Sequence, residues 1–260
     1  MEDGLPGSPG PAPRSTWLVD TGSGRRCHAN TQGTGPPQQG LYPDDPRLEV
    51  RPFIPPGALR VLDVGCGRGG FGLTLRDVLG PHAVILGMDA VEENVRSAEK
   101  EHGFDEVYLG YFPGRFHGSD PSFDLITFID VLEHLNDPWS VLAQAVDLLT
   151  PGGRIVAVIP SIQAWTVVRD LLRGRWDYTD TGTLDRTHIR FFTKSTMIEL
   201  LEGAGLEVAE CKGVNSLKPR KRPVRGYFNR RLIHSMKWLP ALVPDSQWLQ
   251  FVLVGRKPTD

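Results

Sequence analysis

The sequence has few cysteines and no long hydrophobic run. Its three cysteines, Cys27, Cys66 and Cys211, are widely spaced and odd in number. They therefore indicate neither a disulfide framework nor a zinc site, and we predict a reducing, cytoplasmic setting. The sequence contains no run of about 18 apolar residues, so we do not expect a membrane-spanning helix. The opening residues, MEDGLPGSPG, also lack the apolar stretch of a secretory signal.

The chain has no excess of positive charge over its whole length. Its formal net charge is -2, so the molecule as a whole has no electrostatic reason to bind nucleic acid, and we predict no nucleic-acid partner. With 260 residues, of which 40% are hydrophobic, the chain suits a single globular domain. Residues 1–40 are rich in Gly and Pro and predict a flexible leader, which leaves residues 41–260 as the folded domain.

A basic segment at residues 215–245 departs from the near-neutral balance. It contains eight Lys and Arg side chains between residues 218 and 237, interleaved with aromatic residues. It can bind a phosphorylated or lipid-linked sugar, because Lys and Arg suit phosphate. It can rest on an anionic membrane surface as a peripheral contact. The structural alternative is a solvated cap.

Strand and helix patterns alternate from about residue 45, which is typical of a mostly parallel sheet. The apolar runs VILGM, LITFI and IVAVI suit strands that are buried on both faces. Thr150-Pro-Gly-Gly153 predicts a turn that ends one helix before the next strand. The predicted strands are Arg60–Val64, Ala83–Met88, Glu106–Leu109, Phe123–Ile129, Gly153–Ile159, Leu206–Gly213 and Leu249–Gly255; the predicted helices are Phe71–Leu79, Val91–His102, Asp137–Leu149 and a later one that Thr193 caps.

A glycine-rich loop, VLDVGCGRGG, follows the first predicted strand and opens the first helix. Its glycines allow a sharp turn and the close approach of a ligand, and Asp89 at the end of the second strand suits ribose hydroxyls. The same glycines satisfy the dinucleotide pattern G-x-G-x-x-G, so a pyrophosphate is one interpretation. Asp63 favours the other, because an anion next to a pyrophosphate is unfavourable and one next to a sulfonium or an amino group is favourable.

Four motifs in order carry a family resemblance: LDVGCGRGG, GMDA, FDLITFIDVLEHLNDP and LTPGGRIVAVIP. With them the chain resembles the class I S-adenosylmethionine-dependent methyltransferases, over roughly residues 40 to 257. DVLEH followed by PGG resembles the small-molecule branch that includes ubiquinone-type O-methyltransferases. The stretch RWDYTDTGTLDRTHIRFFT is similar to bacterial methyltransferases associated with cell-surface polysaccharide synthesis. The resemblance implies a Rossmann-like α/β fold with seven strands in the order 3-2-1-4-5-7-6, the last of them antiparallel.

The resemblance also implies roles for individual residues around S-adenosyl-L-methionine. It places Asp130 beside the amino group and the transferred methyl, as a residue of both the cofactor and the catalytic site. Tyr111 stands where many relatives have an Asp that contacts adenine, and it can stack on that ring instead. The implied cofactor site consists of Asp63, Gly65, Cys66, Gly67, Gly69, Asp89, Ala90 and Asp130, with Cys66 as a small packing residue.

A hydroxyl acceptor would need a base, and histidine suits that task because its ordinary pKa lies near neutral pH. His188 is the first candidate, with structural anchoring of its loop as the alternative, and His134 is the second. Glu133 and Asp130 could join a metal site, but the ligand spacing is not persuasive and we predict that no metal is required. Trp176 and Arg190 are predicted to contact the acceptor, Trp176 by stacking on a ring or as an apolar lid residue.

These features together predict a methyltransferase that acts on a small molecule, with oxygen of a sugar or other metabolite as the favoured acceptor. Two other functions stay open at this point. An NAD-dependent oxidoreductase would use the glycine loop for a pyrophosphate, in conflict with Asp63. A non-catalytic partner would retain the fold and bind the cofactor without turnover.

Overall fold

The computed structural model describes residues 44–101, 103–217 and 242–259. The predicted leader at residues 1–40 and most of the predicted basic segment at 215–245 lie outside these described residues. The domain boundaries predicted from the sequence therefore stay predictions.

The described chain is built around one seven-stranded sheet. Its strand order is β3-β2-β1-β4-β5-β7-β6, and β7 is antiparallel to both of its neighbours, β5 and β6, while the other pairs are parallel. The fold class and strand order that the resemblance implied are confirmed. The strands are β1 (Arg60–Val64), β2 (Val84–Asp89), β3 (Glu106–Leu109), β4 (Phe123–Ile129), β5 (Leu149–Pro160), β6 (Glu207–Ser216) and β7 (Trp248–Arg256).

Helices cover both faces of this sheet because the central strands carry apolar side chains on both sides. One buried cluster includes Leu62, Ile126 and Leu142, and the other, on the opposite face, includes Val61, Leu125 and Leu75. The helices are α1 (Gly70–Leu79), α2 (Glu92–Glu101), α3 (Pro138–Leu148), α4 (Trp165–Leu171) and α5 (Lys194–Gly203), and short 3₁₀ turns cover Arg51–Phe53, Gly114–Phe116 and Leu132–His134. No helix among the described residues is long and apolar enough to cross a membrane.

The predicted turn at Thr150–Gly153 is wrong. Helix α3 ends at Leu148 and β5 begins with the next residue, so these four residues lie inside the strand. The pairing between β4 and β5 shifts its register there, and Gly152 has a φ of 77°. A proline and two glycines therefore form an irregularity in the strand where the pattern predicted a break before it.

The carboxyl ends of β1, β2 and β4 meet at one edge of the sheet, and this edge positions the site. The amino-terminal end of β7 reaches the same edge, since Gln250 pairs with Pro160 at the end of β5. Such edges are where open α/β sheets bind ligands, because the connecting loops diverge there and leave a crevice.

Candidate active site

A cavity of about 660 Å³ lies along the carboxyl edge of the sheet. It extends from the glycine loop to the loop that carries His188. A strongly acidic lining favours a ligand that carries positive charge. Among the described residues that line it, the acidic ones are Asp44, Asp45, Asp63, Asp89, Asp130, Glu133 and Asp185, and the arginines are Arg47 and Arg68.

Four backbone amides of the glycine loop are already used within the protein. Those of Gly65 and Cys66 donate to the carbonyl of Met88, and that of Gly67 donates to the Asp89 carboxylate at 2.9 Å. The amide of Gly69 donates to the carbonyl of Cys66. A pyrophosphate cradle needs free amides, and these four are not available for one. Gly67, at a φ of 55°, has open space where a Cβ would stand, which leaves room for a ligand.

Asp63, at the end of β1, has a buried carboxylate with one unsatisfied oxygen. Its Oδ1 accepts a hydrogen bond from Thr127 at 2.6 Å, whereas Oδ2 has no protein partner. Burial raises the pKa of Asp63 to about 7, against the lowering effect of the Thr127 hydrogen bond. A cationic or amino group of a ligand would satisfy that oxygen and restore its charge. This is the feature of the site that best fits S-adenosyl-L-methionine.

Asp89, at the end of β2, is held in place by three protein donors. Its Oδ1 accepts from the Val91 amide at 2.8 Å and from Asn94 at 3.1 Å, and its Oδ2 accepts from the Gly67 amide. A carboxylate has about four acceptor positions, so about one is left for a ligand hydroxyl. Ala90 lies beside it in the cavity lining, and the exposed ring of Tyr111 lies at the rim.

His188 and Glu133 meet at the other end of the cavity. The Nδ1 of His188 lies 3.1 Å from the carbonyl of Thr183, which can only accept, so Nδ1 carries the proton and Nε2 is left as an acceptor. Nε2 lies 3.9 Å from Glu133 Oε1. The amides of Ile189 and Arg190 both donate to the Glu133 carbonyl, which fixes the loop on the turn after β4.

Burial, and then the charge of Asp130, raise the pKa of Glu133 well above its ordinary value. Both of its carboxyl oxygens are buried without a hydrogen-bond partner. The ring of His134 packs edge-on against His188 with centroids 4.8 Å apart, and burial lowers the pKa of His134. The sequence analysis named each of these residues, but His134 and His188 are 54 positions apart and nothing in the sequence indicates that they touch.

Among the described residues, one group of side chains could offer three ligand atoms to a metal ion: Glu133, His134 and His188. Those atoms are separated by up to 4.8 Å. Two ligands of one zinc ion lie at most about 4.2 Å apart, twice the usual bond length. The group is therefore too open to hold such an ion without movement, and the absence of a metal requirement stays a prediction.

Asp130 follows β4 with a φ of 55° and lines the cavity. Its carboxylate forms an ion pair with Arg47 and accepts a hydrogen bond from Gln250 Nε2 at 2.6 Å. These contacts occupy the carboxylate, so it is not a free base. Sequence reasoning missed Arg47 and Gln250. The position of Gln250 at the start of a predicted antiparallel strand was the available signal, because that end of the strand reaches the carboxyl edge.

Three of the predicted site residues are not among the residues that line the cavity. Trp176 packs edge-on against Phe191, with centroids 5.2 Å apart, and Arg190 donates to the Asn136 carbonyl and stacks over Trp139. Gly69 is the residue that precedes α1. Asp63, Gly65, Cys66, Gly67, Asp89, Ala90, Asp130 and His188 do line the cavity.

A Rossmann-like sheet with an acidic cofactor cavity at its carboxyl edge defines a class of α/β cofactor-binding proteins. Within that class, the family model described as a methyltransferase domain matches residues 38–210. The chain therefore belongs to the methyltransferase-domain family, and its resemblance to the class I S-adenosylmethionine-dependent methyltransferases is confirmed. The prediction of S-adenosyl-L-methionine as the cofactor is confirmed at the level of the family.

Curated relatives and solved structures agree with this placement. The chain is 32% identical to a ubiquinone biosynthesis O-methyltransferase of Ruegeria pomeroyi over 63% of its own length and 64% of that protein. It is 31% identical to the protein of the same name from Dinoroseobacter shibae, over 60% and 63%. The chain thus spans slightly less than two thirds of these relatives. A methyltransferase structure from Archaeoglobus fulgidus has a TM-score of 0.58 at 20% identity, covering 81% of this chain and 92% of that one, which shows the shared fold.

Proposed function

We propose that this protein transfers a methyl group from S-adenosyl-L-methionine to a hydroxyl oxygen of a small molecule. One observation carries the proposal: a single cavity is lined at one end by Asp63 and Asp89 beside the glycine loop and at the other by His188, whose Nε2 is left as an acceptor. Oxygen is favoured as the acceptor atom because the curated relatives are named for O-methylation. Sugar, phosphorylated and lipid-linked acceptors, like the cytoplasmic setting, stay predictions.

The chain's own residues supply positioning and proton transfer. When bound, S-adenosyl-L-methionine supplies an electrophilic methyl group on a sulfonium. Asp63 would hold a cationic part of it, and Asp89 would orient a ribose hydroxyl. His188 Nε2 accepts the acceptor's hydroxyl proton, and the Thr183 carbonyl keeps the imidazole in the tautomer that this requires. The low exposure of His188 and Glu133 keeps water away from the reacting groups.

His188→Gln tests this assignment. The expected result is an unchanged affinity for S-adenosylhomocysteine and a turnover lowered by about 10²–10⁴, the usual contribution of a positioned base. Labelled methyl transfer to a panel of phenols, sugars and sugar phosphates would measure turnover, and calorimetry would measure the affinity. His82→Gln, on an exposed loop, is the matched control and should behave like the wild type.

Full turnover in His188→Gln would remove His188 from the mechanism. Label found on nitrogen or carbon, and not on oxygen, would overturn the proposed acceptor chemistry. Each assay is repeated with a chelator, where we expect no loss of activity; a loss would show that a metal is required.

A further inference from the structure

A second cavity, of about 540 Å³, lies on the loop that carries His188 and is open to solvent. Its lining consists of Tyr178, Arg186, His188, Ile189 and Phe191. Within the described part of the chain, His188 is the only residue that lines both this cavity and the cofactor cavity. The other lining residues of the loop belong to one cavity or the other, so the two cavities meet at the candidate base.

One wall of the second cavity is formed by residues 188–192, and this stretch is fixed at both ends. The amide of Ile189 donates to the Glu133 carbonyl at 3.0 Å, on the turn after β4. Phe192 pairs with Ser161, which follows β5, in an isolated parallel bridge. This wall is therefore preformed, and a preformed wall loses little conformational entropy when a ligand binds.

The other wall brings together Tyr178 and Arg186, which are eight positions apart in the sequence. Thr179 forms an isolated parallel bridge with Asp185. The amide of Thr179 donates to the Leu184 carbonyl at 2.9 Å, and the amide of Arg186 donates to the Thr179 carbonyl at 3.0 Å. The two lining residues thus lie at the neck of one closed loop.

Aromatic rings give the second cavity a surface on which a flat ring can pack. Phe191 packs edge-on against Trp176, with centroids 5.2 Å apart, and its ring lies 6.5 Å from that of Tyr178. Tyr178 is 49% exposed and Ile189 is 46% exposed. Exposed aromatic and apolar side chains beside polar groups are typical of a ligand-binding groove. Trp176 supports Phe191 from outside the lining of this groove.

Arg186 gives this apolar surface a positive charge. Its Nε lies 3.3 Å from Asp180 Oδ1, and the two side chains are 58% and 89% exposed. An exposed pair of this kind contributes little free energy, so an anionic group of a ligand can replace Asp180 at low cost. The planar guanidinium suits a carboxylate or a phosphate, which it can bind through two parallel hydrogen bonds. The acidic lining of the cofactor cavity, in contrast, disfavours an anion.

We propose that the second cavity binds the part of the acceptor remote from the methylated hydroxyl, and that this part is a ring that carries a carboxylate or a phosphate. The ring packs on Tyr178 and Phe191, the anion pairs with Arg186, and the hydroxyl reaches His188 where the two cavities meet. The inference rests on the proposed function, because it takes a hydroxyl as the acceptor group and His188 as its base. It adds the chemical class of the acceptor and two residues that select it.

Fragment binding to the full chain, saturated with S-adenosylhomocysteine, tests this site without turnover. Phenyl phosphate offers both a ring and an anion, methyl phosphate offers the anion alone, and phenol offers the ring alone. We expect phenyl phosphate to bind more tightly than either of the others, as measured by saturation-transfer NMR. Benzoate in the same titration distinguishes a carboxylate from a phosphate, and glucose 6-phosphate distinguishes a sugar ring from an aromatic one.

Two variants separate the ring from the anion. Arg186→Gln should weaken phenyl phosphate and methyl phosphate by about three- to tenfold, as expected for a partly exposed forked pair, and leave phenol unchanged. Tyr178→Leu should weaken phenyl phosphate and phenol several-fold and leave methyl phosphate unchanged. The Kd of S-adenosylhomocysteine should change by less than twofold in both.

Arg173→Gln is the matched control. Arg173 is 51% exposed and lies 3.8 Å from Asp170, much as Arg186 lies beside Asp180, but it lines neither cavity. Its fragment affinities should equal those of the wild type.

Inhibition of methyl transfer connects the site to the acceptor. With a hydroxylated acceptor that is turned over, phenyl phosphate should compete with the acceptor and not with S-adenosyl-L-methionine. Arg186→Gln should raise the KM of an anionic acceptor with little change in kcat, whereas His188→Gln should lower kcat.

A wild type that binds phenyl phosphate no more tightly than phenol and methyl phosphate would overturn the site, even where a variant fails to fold. Fragment affinities that neither Arg186→Gln nor Tyr178→Leu changes would also overturn it. Inhibition that competes with S-adenosyl-L-methionine, or no inhibition, would overturn the assignment of the site to the acceptor. Fragment binding as expected, with the label found on nitrogen or carbon, would instead overturn the proposed O-methylation and leave the binding site in place.

Discussion

Asp63 combines the two demands that a cofactor site makes on a single residue. Its carboxylate must be buried to meet a cationic group, yet burial without that group is costly. Thr127 satisfies one oxygen and leaves the other without a partner. The free protein therefore carries a destabilising feature that ligand binding relieves, and pH separates the two effects.

The direction in which pH changes stability follows from the pKa of Asp63. Burial raises this pKa to about 7 in the folded protein, against about 3.9 in the unfolded chain. Between pH 4 and 7 the folded protein keeps a proton that the unfolded chain has lost, so the contribution of Asp63 to stability falls as pH rises through this window. Above pH 7 the full cost is present. Asp63→Asn should therefore raise the Tm of the free protein at pH 8.5 relative to the wild type, and much less at pH 5.

The same substitution should weaken cofactor binding. Losing a hydrogen bond to a charged partner costs about 1.5–3 kcal/mol, and wild-type affinity should rise from pH 6 to pH 8 as Asp63 ionises. Calorimetric titration of the wild type and of Asp63→Asn with S-adenosylhomocysteine, at pH 6 and at pH 8, measures these affinities. An affinity that is independent of both pH and the substitution would place Asp63 outside the ligand contacts.

The glycine loop and Asp89 could be found from the sequence because their signals are local. The turn glycines, the strand before them and the acid that follows the next strand all lie within 30 residues. Other contacts of the site join chain segments that are far apart in the sequence. Glu133 lies beside His188, and Arg47 contacts Asp130 and Gln250. Neither periodicity nor spacing in the sequence indicates such long-range contacts. Trp176 and Arg190 were therefore predicted at the acceptor site although they do not line the cavity, and Arg47, which does line it, was missed.

At the scale of elements, strands β6 and β7 place Asn215 and Gln250 at the cavity. These two strands can pair as they do because Gly213 of β6 has no side chain. A Cβ at Gly213 of β6 would lie 2.1 Å from Cγ of Trp248 on β7. Gly213→Ala must displace the indole, which should lower the free energy of unfolding by about 1–3 kcal/mol, the usual cost of overpacking. Urea unfolding measures this change.

Gly203→Ala gives the matched control for that prediction. Gly203 ends α5 with nothing within 4 Å of the position of a Cβ. Alanine there should leave stability unchanged or raise it by about 0.5 kcal/mol, because alanine favours the helix. If Gly213→Ala were as stable as Gly203→Ala, Trp248 would not be fixed against β6.

The central strands could be predicted because their continuous apolar runs are stable inside the sheet. The predicted Arg60–Val64, Glu106–Leu109 and Phe123–Ile129 have the bounds that the structure gives. The error at Thr150–Gly153 has a physical cause, since proline and glycine mark both turns and irregular strands. The Thr193 cap was found because its Oγ1 accepts from the Thr196 amide within the same turn, a contact that needs no tertiary information.

At the scale of the whole molecule, the cavity couples ligand binding to global stability. The glycine loop, the turn after β4 and the His188 loop all contribute to one lining, so a bound ligand holds together parts of the chain that unfolding would separate. A ligand at 100 times its Kd that binds only the folded state adds about 2.7 kcal/mol to the free energy of unfolding.

For a domain of this size that gain should raise the Tm by roughly 5–10 °C. We expect S-adenosylhomocysteine to produce this shift and NADH at the same concentration to produce none. Four amides of the glycine loop already donate within the protein, and the carboxylate of Asp63 disfavours a pyrophosphate beside it. Asp89→Ala should lose most of the shift, since it removes both a ligand acceptor and the partner of the Gly67 amide. A shift with NADH and none with S-adenosylhomocysteine would mean that the glycine loop rearranges to free its amides, and the cofactor assignment would then be wrong.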